Sequence, residues 1–204
     1  MLDYFPIPGL NTDSTPWSRV ARARNAMLER INLKSYDHLL WIDADVVNYP
    51  ADMPMRLLEA NPDGVSAPMV LIQGSDQFYD WAAFVMQGKS RIMPTSRKRV
   101  WGRNLAHQPP YWHLHEPPQV ENDRSARPAW MNLPDRLVEM DCVGTITMVP
   151  AWIYLDGVRY EDHPAFTDHF PICAHCIKMG KRVVVVRDII AKHADLPKFG
   201  ESWH

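Results

Sequence analysis

The sequence has little net charge: 22 lysines and arginines against 24 acids leave a formal −2, without the basic stripe that a nucleic-acid binder needs. No apolar run approaches the ~20 residues of a membrane-spanning helix, and the start shows no leader pattern of a charged stretch followed by an apolar one. Cysteine is scarce. Cys142, Cys173 and Cys176 do not suggest a disulfide framework, which points to a reducing, cytoplasmic compartment. Strand pattern is missing from Met1 to Gly9, an odd opening for an α/β enzyme.

What is present fits a single domain spanning residues 1–204, large enough to bury a core. Thr15-Pro16 pairs a capping hydroxyl with a proline suited to the first helical position. The stretch from Trp17 to Ile31 then places Val20, Met27, Leu28 and Ile31 on one face, with Arg19, Arg22, Arg24 and Arg30 read mainly as a solvated face, from which only Arg24, beside Asn25, is singled out as a candidate site residue. His38 to Ile42 reads as a buried strand, Pro50 to Ala60 as a helix carrying Met55, Leu57 and Leu58, and Gly64 to Val70 as a second strand. Helix, strand, helix, strand predicts an α/β domain with a mostly parallel sheet. From Gln73 to Pro134 the periodicity dissolves among prolines, aromatics and histidines, and this is read as an insertion at about 86–136. Strands are expected at Leu137–Asp141 and Thr145–Val149, around Gly144. A helix is expected from Asp168 or His169 to Met179, closed by Gly180. Arg182–Val186 and Ile189–His193 read as two further strands.

The chemistry concentrates in Trp41-Ile42-Asp43-Ala44-Asp45-Val46-Val47. Two carboxylates two residues apart, just past the carboxyl end of a buried strand, lie where open sheets bind ligands. Their mutual repulsion calls for a cation, and hard oxygen donors suit Mg²⁺ or Mn²⁺ with coordination positions left for phosphate oxygens. The plainer reading makes Asp43 and Asp45 solvated turn residues.

The run Ala21-Arg22-Ala23-Arg24-Asn25-Ala26-Met27-Leu28, followed after a short spacer by His38 to Val47, resembles the core of GT-A glycosyltransferases. It is closest to mannosyltransferases of the fungal mannan-polymerase type. Asp63 to Pro68, Tyr79-Asp80-Trp81, Met140 to Thr145, Phe166 to Phe170 and His193 resemble later segments of that pattern, in order, so the likeness covers residues 19–85 and 137–195. The resemblance implies a GT-A, Rossmann-like sheet and a metal-dependent sugar transfer from a nucleotide-sugar donor, GDP-mannose or a UDP-sugar, to a glycan or other hydroxyl acceptor. It implies Asp45 and His193 as ligands to Mn²⁺ or Mg²⁺, and Asp43 on the metal or the donor ribose. Asp168 becomes the catalytic, acceptor-side carboxylate, a base in inverting relatives and in retaining ones a group that can serve only to position the acceptor, while Arg24 and Asn25 lie near the donor phosphates or support the acidic turn.

Two departures stand out. Ile42 occupies a position where the family often has arginine, and no base-gripping strand unit is found in the eighteen residues before Arg19. The expectation is that another chain or a preceding segment completes the nucleotide site. Two other functions also fit a D-x-D after a strand: a haloacid-dehalogenase-like phosphatase with Asp43 as nucleophile and Asp45 as acid–base, and a degenerate sugar-nucleotide-binding domain. Cys173-Ala-His-Cys176 has the C-x-x-C spacing of zinc or redox sites but no second pair. His107, His113, His115, Trp101, Trp112 and Trp130 are candidates for metal or sugar contacts in the insertion.

Overall fold

The computed structural model describes residues 16–76, 78–79, 85–86, 134–161 and 168–194. In chain order the elements are α1 (Pro16–Leu28), a 3₁₀ turn (Leu33–Ser35), β1 (His38–Ile42), β2 (Val46–Asn48), α2 (Met53–Ala60), β3 (Val65–Ile72) and β4 (Val85–Met86). They continue with β5 (Leu137–Cys142), β6 (Ile146–Pro150), α3 (Ala151–Leu155), α4 (Phe170–Lys178) and β7 (Val183–His193). Thr15, the segment Met1 to Gly9, nearly all of the insertion with its named histidines and tryptophans, Asp80, Trp81, Phe166 and Thr167 lie outside the described residues.

Two of the proline-bearing helices start later than expected, where proline permits. Pro54 and Pro171 each sit in the first turn, where a missing N–H costs nothing, so α2 begins at Met53 rather than Pro50 and α4 at Phe170 rather than Asp168. Gly180, at φ 71°, ends the turn after α4.

The architecture is α/β, with a mixed, open sheet in the order β1-β6-β3-β7-β5-β4 and β2 added against the far half of β7. The expectation of a mostly parallel sheet fails. Among the described pairings only β3–β7 is parallel, and the other five are antiparallel. The physical reason is β6, which lies between β1 and β3 and runs against both. The strands expected either side of Gly144 both form but part company, β5 joining β7 and β4 while β6 joins β1 and β3. Since β1 and β3 each oppose β6, and β3 parallels β7, all three point the same way. Their carboxyl ends share one edge of the sheet.

Residues alternate between the faces. Val65, Ala67, Val183 and Val185 pack with α1, α3 and α4 in one cluster. Val70, Met148, Val184, Val186 and Ala191 pack with Met53 and Leu57 of α2 in the other. Helix α1 buries a different stripe from the one its apolar residues suggest. Ala21, Arg24 and Leu28 face inward, while Val20, Ile31 and Met27, the last 53 % accessible, are exposed.

Strand β7 merges the two strands expected near the carboxyl end. Pro68 of β3 faces Val186, but Met69 faces Ile190, so Arg187, Asp188 and Ile189 bulge out. Proline offers no ladder N–H, and a bulge beside it is the usual accommodation. The bulge is tied down by Arg187 N donating to Arg136 O at 2.9 Å and by Asp188 pairing with Arg56 at 2.9 Å and Arg136 at 3.0 Å.

At the start of β3, the Asn61 amide donates to Val65 O at 2.9 Å and Arg182 O at 3.0 Å. A β-carbon on Gly64 would collide with Arg182 O and stand 2.7 Å from the Asn61 amide nitrogen. Gly64→Ala should therefore lower stability by roughly 1–3 kcal/mol through overpacking against backbone, read as a drop in the urea midpoint at unchanged slope.

Candidate functional site

Strand β1 keeps its alternation up to Asp43: Leu40 and Ile42 face the α2 side, and Trp41 faces the α1 side. The chain then turns, Val46 N donating to Asp43 O at 3.1 Å, and re-enters the sheet as β2. A tight turn between two strands of different partnership separates the two acids. Asp43 is directed to α1 and Asp45 to the end of β7.

On the α1 side the organising group is Arg24, 5 % accessible. One guanidinium nitrogen donates to Asp168 Oδ2 and another to Asp43 Oδ1. Its carbon lies 5.2 Å from the Tyr160 ring centroid and 6.0 Å from that of Trp41, within cation–π range. Burial works against the charge, but Asp168 and then Asp43 outweigh it and raise the pKa above the ordinary arginine value. An arginine among residues this apolar stays only because it is paired on two sides. Arg24 therefore does not belong to the solvated face that the helical pattern of arginines suggests. Of the roles the resemblance implies for it, support of the acidic turn is the contact seen.

Asp168 is 2 % accessible, in the turn before α4. Asn25 does not reach the acidic turn. Its side-chain amide donates to Tyr160 O at 2.8 Å and its carbonyl accepts from Tyr160 N at 2.9 Å, as a neighbouring strand would. That clasp presents the Tyr160 ring to Arg24. Tyr160 also shares a 2.6 Å hydroxyl contact with Tyr154, and the Tyr154 hydroxyl accepts from Trp41 Nε1 at 2.9 Å. Burial raises both phenol pKa values, so both stay protonated.

Two further residues at this site were not singled out from the sequence, although both lie in segments that carry the resemblance. Thr145 has φ 61°, and Ile146 N donates across it to Gly144 O at 2.7 Å, a three-residue turn that is strained for a β-branched residue. Its carbonyl accepts Asp43 N at 3.0 Å, fixing the start of the acidic turn. His169 is buried edge-on to Tyr160, with ring centroids 5.4 Å apart. Burial first, then the Arg24 charge, lowers its pKa well below the ordinary value, so the ring is neutral.

On the opposite face β2 pairs Val46 with His193, and Ala194 N donates to Asp45 O at 2.8 Å. This backbone join brings Asp45 Oδ1 to 2.9 Å from His193 Nε2. The two atoms are not aligned as a hydrogen bond, and Nε2 is fully buried. Nδ1 lies 2.8 Å from Ala194 O, an acceptor only, so Nδ1 carries a proton. The His193 ring stacks on Tyr79, centroids 3.5 Å apart and planes 11° from parallel.

The structure thus brings Arg24, Asp43 and Asp168 together, and Asp45 with His193, at one edge of the sheet. Asp43 pairs with Arg24, and its charge also acts on His193, helping to raise that pKa. No set of three or more His, Cys, Asp or Glu arranged to hold a metal occurs among the described residues. The three cysteines are buried and unbridged, Cys173 and Cys176 on the inner face of α4. No helix among the described residues is long and apolar enough to cross a membrane. No protein-family model matches the chain, and no curated protein matches it.

Removing Arg24 strands Asp168 in the interior. Arg24→Met is expected to lose about 3–5 kcal/mol. Arg24→Met with Asp168→Leu should recover much of that, which a double-variant cycle in urea would measure. A second expectation concerns pH. Burial lowers the His193 pKa, but Asp45 and the Ala194 carbonyl raise it by more, while the His193 contact first of all lowers that of Asp45. The His193 contribution to stability is full below the ordinary imidazole value of about 6.5 and fades as pH climbs through the raised value. The Asp45 contribution is full above its ordinary value and fades as pH falls through the lowered one. NMR titration of the metal-free chain should place His193 above the ordinary value, and Asp45→Asn should bring it down.

Proposed function

We propose that the chain carries the metal and acceptor side of a GT-A-type glycosyltransferase, transferring a sugar from a nucleotide-sugar donor to a hydroxyl acceptor. The observation that carries this reading is the placement of Asp45 and His193. Two ligands on adjacent corners of an octahedron, each about 2.0–2.1 Å from the ion, stand about 3 Å apart. Asp45 Oδ1 and His193 Nε2 are 2.9 Å apart and unaligned for a hydrogen bond.

The tautomer agrees. With its Nδ1 proton given to Ala194 O, a neutral His193 aims a lone pair at a carboxylate. That is favourable only when a cation takes up both, or when Nε2 is itself protonated. The backbone carbonyl on Nδ1 is also the partner that ligating histidines commonly have. Mn²⁺ or Mg²⁺ held by these two residues would keep positions for diphosphate oxygens, and when bound would neutralise the departing nucleoside diphosphate.

The chain's own residues do the positioning. Asp43, with a third of its side chain accessible, is held by Arg24 and by the Thr145 carbonyl at the mouth of the acidic turn, where a ribose or acceptor hydroxyl can be accepted. Asp168 acts through Arg24, fixing the guanidinium that fixes Asp43, and in this arrangement it is a positioning residue. The phosphatase alternative would use Asp43 as its nucleophile, whereas that carboxylate is ion-paired with Arg24. The base-binding half is proposed to come from a segment or chain beyond the described residues.

The test is a panel of GDP-mannose and UDP-sugars with Mn²⁺, followed as donor hydrolysis or transfer. Metal-dependent turnover should vanish in Asp45→Ala and His193→Ala. Because Nε2 must shed its proton before ligating, Mn²⁺ affinity should rise with pH through the His193 titration. A phosphoryl group trapped on Asp43 would overturn the transferase reading in favour of the phosphatase.

A further inference from the structure

Tyr79 comes to His193 by a short local path. β3 ends at Ile72, Gly74 at φ 76° lets the chain turn with Ser75 N donating to Ile72 O at 3.1 Å, and the chain then runs back along β3. Phe78 bridges Leu71, and Tyr79 N donates to Val70 O at 3.0 Å. Alternation on this returning segment sends Phe78, 2 % accessible, into the α1-side cluster and Tyr79 to the α2 side. There its ring covers a face of the imidazole at 3.5 Å, 11° from parallel.

Three constraints therefore act on His193. The β7 backbone is pinned between Val46 of β2 and Ile72 of β3. Nδ1 is held in the ring plane by Ala194 O, which fixes the tautomer. Neither contact stops the ring from tipping out of plane. Tyr79 does. A flat, half-buried ring parallel to the imidazole blocks its tipping toward that side, and so helps keep Nε2 directed at Asp45 Oδ1. The stacked face suits an electron-poor ring as well, since an imidazole that donates its Nε2 pair to a cation becomes a better partner for an electron-rich phenol.

We infer that Tyr79 is a positioning residue for the cation pair, acting through the plane of its ring to hold the His193 imidazole edge-on to Asp45. The inference rests on the proposed metal reading. It assigns the role to ring shape rather than to the phenol hydroxyl, so Tyr79→Phe and Tyr79→Leu should behave differently.

The experiment measures Mn²⁺ affinity of the full chain by electron spin resonance of the free ion, together with the His193 ring-proton shifts of the metal-free chain by NMR. Tyr79→Phe should keep both the affinity and the upfield ring-current shift of the His193 protons. Tyr79→Leu should lose the shift and bind Mn²⁺ roughly tenfold or more weakly, the scale for loss of a group that orients a ligand. Thermal melts of both variants separate this effect from a loss of folding, and Tyr79→Trp, which keeps a flat ring, should restore affinity if Tyr79→Leu proves unstable. Equal Mn²⁺ affinity in folded Tyr79→Leu would overturn the positioning role while leaving the metal reading intact. Absence of Mn²⁺ binding in the unaltered chain would overturn both.

Discussion

A buried guanidinium holds this end of the molecule together. Arg24 reaches from α1 to Asp43 after β1 and to Asp168 before α4, three segments with no backbone connection at this edge. Each carboxylate offsets part of the cost of burying the other groups, and none of the three is comfortable alone. Around the ion pair the same logic extends in neutral form. Asn25 clasps the Tyr160 backbone, Tyr160 lies against the guanidinium, and the Tyr154 hydroxyl links Tyr160 to Trp41. The polar groups of this face form one connected network, so their positions are set jointly.

The sheet supplies the other constraint. Because β1, β3 and β7 end at a common edge, residues far apart in sequence arrive together: Asp45 from the first, Tyr79 from just past the second, His193 from the third. The acidic turn straddles that edge and divides its two carboxylates between the faces. One face is an ion-paired scaffold, while the other leaves a carboxylate oxygen and a ring nitrogen close together without a hydrogen bond between them. In the proposed function, the first face fixes geometry and the second binds.

Much of the local structure was legible. His38 to Ile42 is an apolar run of strand length stopped by an acid, and it forms the strand β1 with those bounds, though half-buried at the end of the strand order rather than buried as expected. The prolines and Gly180 marked helix ends for steric reasons that hold in any fold. What was not legible depended on neighbours. The reading of α1 grouped Val20, Met27, Leu28 and Ile31, because apolar residues usually face inward. The burial of Arg24 is decided by partners 19 and 144 residues away, and no window along the chain contains them. The antiparallel insertion of β6 is of the same kind, since a strand's pattern states that it is a strand but not which edge it joins. Asp43 and Asp45 stood out by their spacing after a strand and the other site residues by the resemblance; Asp45 and His193 lie side by side, and Asp43 pairs with Arg24. Thr145 and His169 lay in segments that carried the resemblance but were not singled out, because a left-handed threonine and a buried neutral histidine look ordinary in sequence.

The separation between Arg24 and Asp168 also bears on the order in which the fold is completed. The two are 144 residues apart, so at ribosomal rates of about 5–20 residues per second the arginine waits roughly 7–30 seconds for its deeper partner to be made. Until then α1 has a charged residue on the stripe it must bury, and docking it would leave that charge only half compensated. Stable docking of α1 onto the sheet is therefore expected to depend on the placement of the chain's last third.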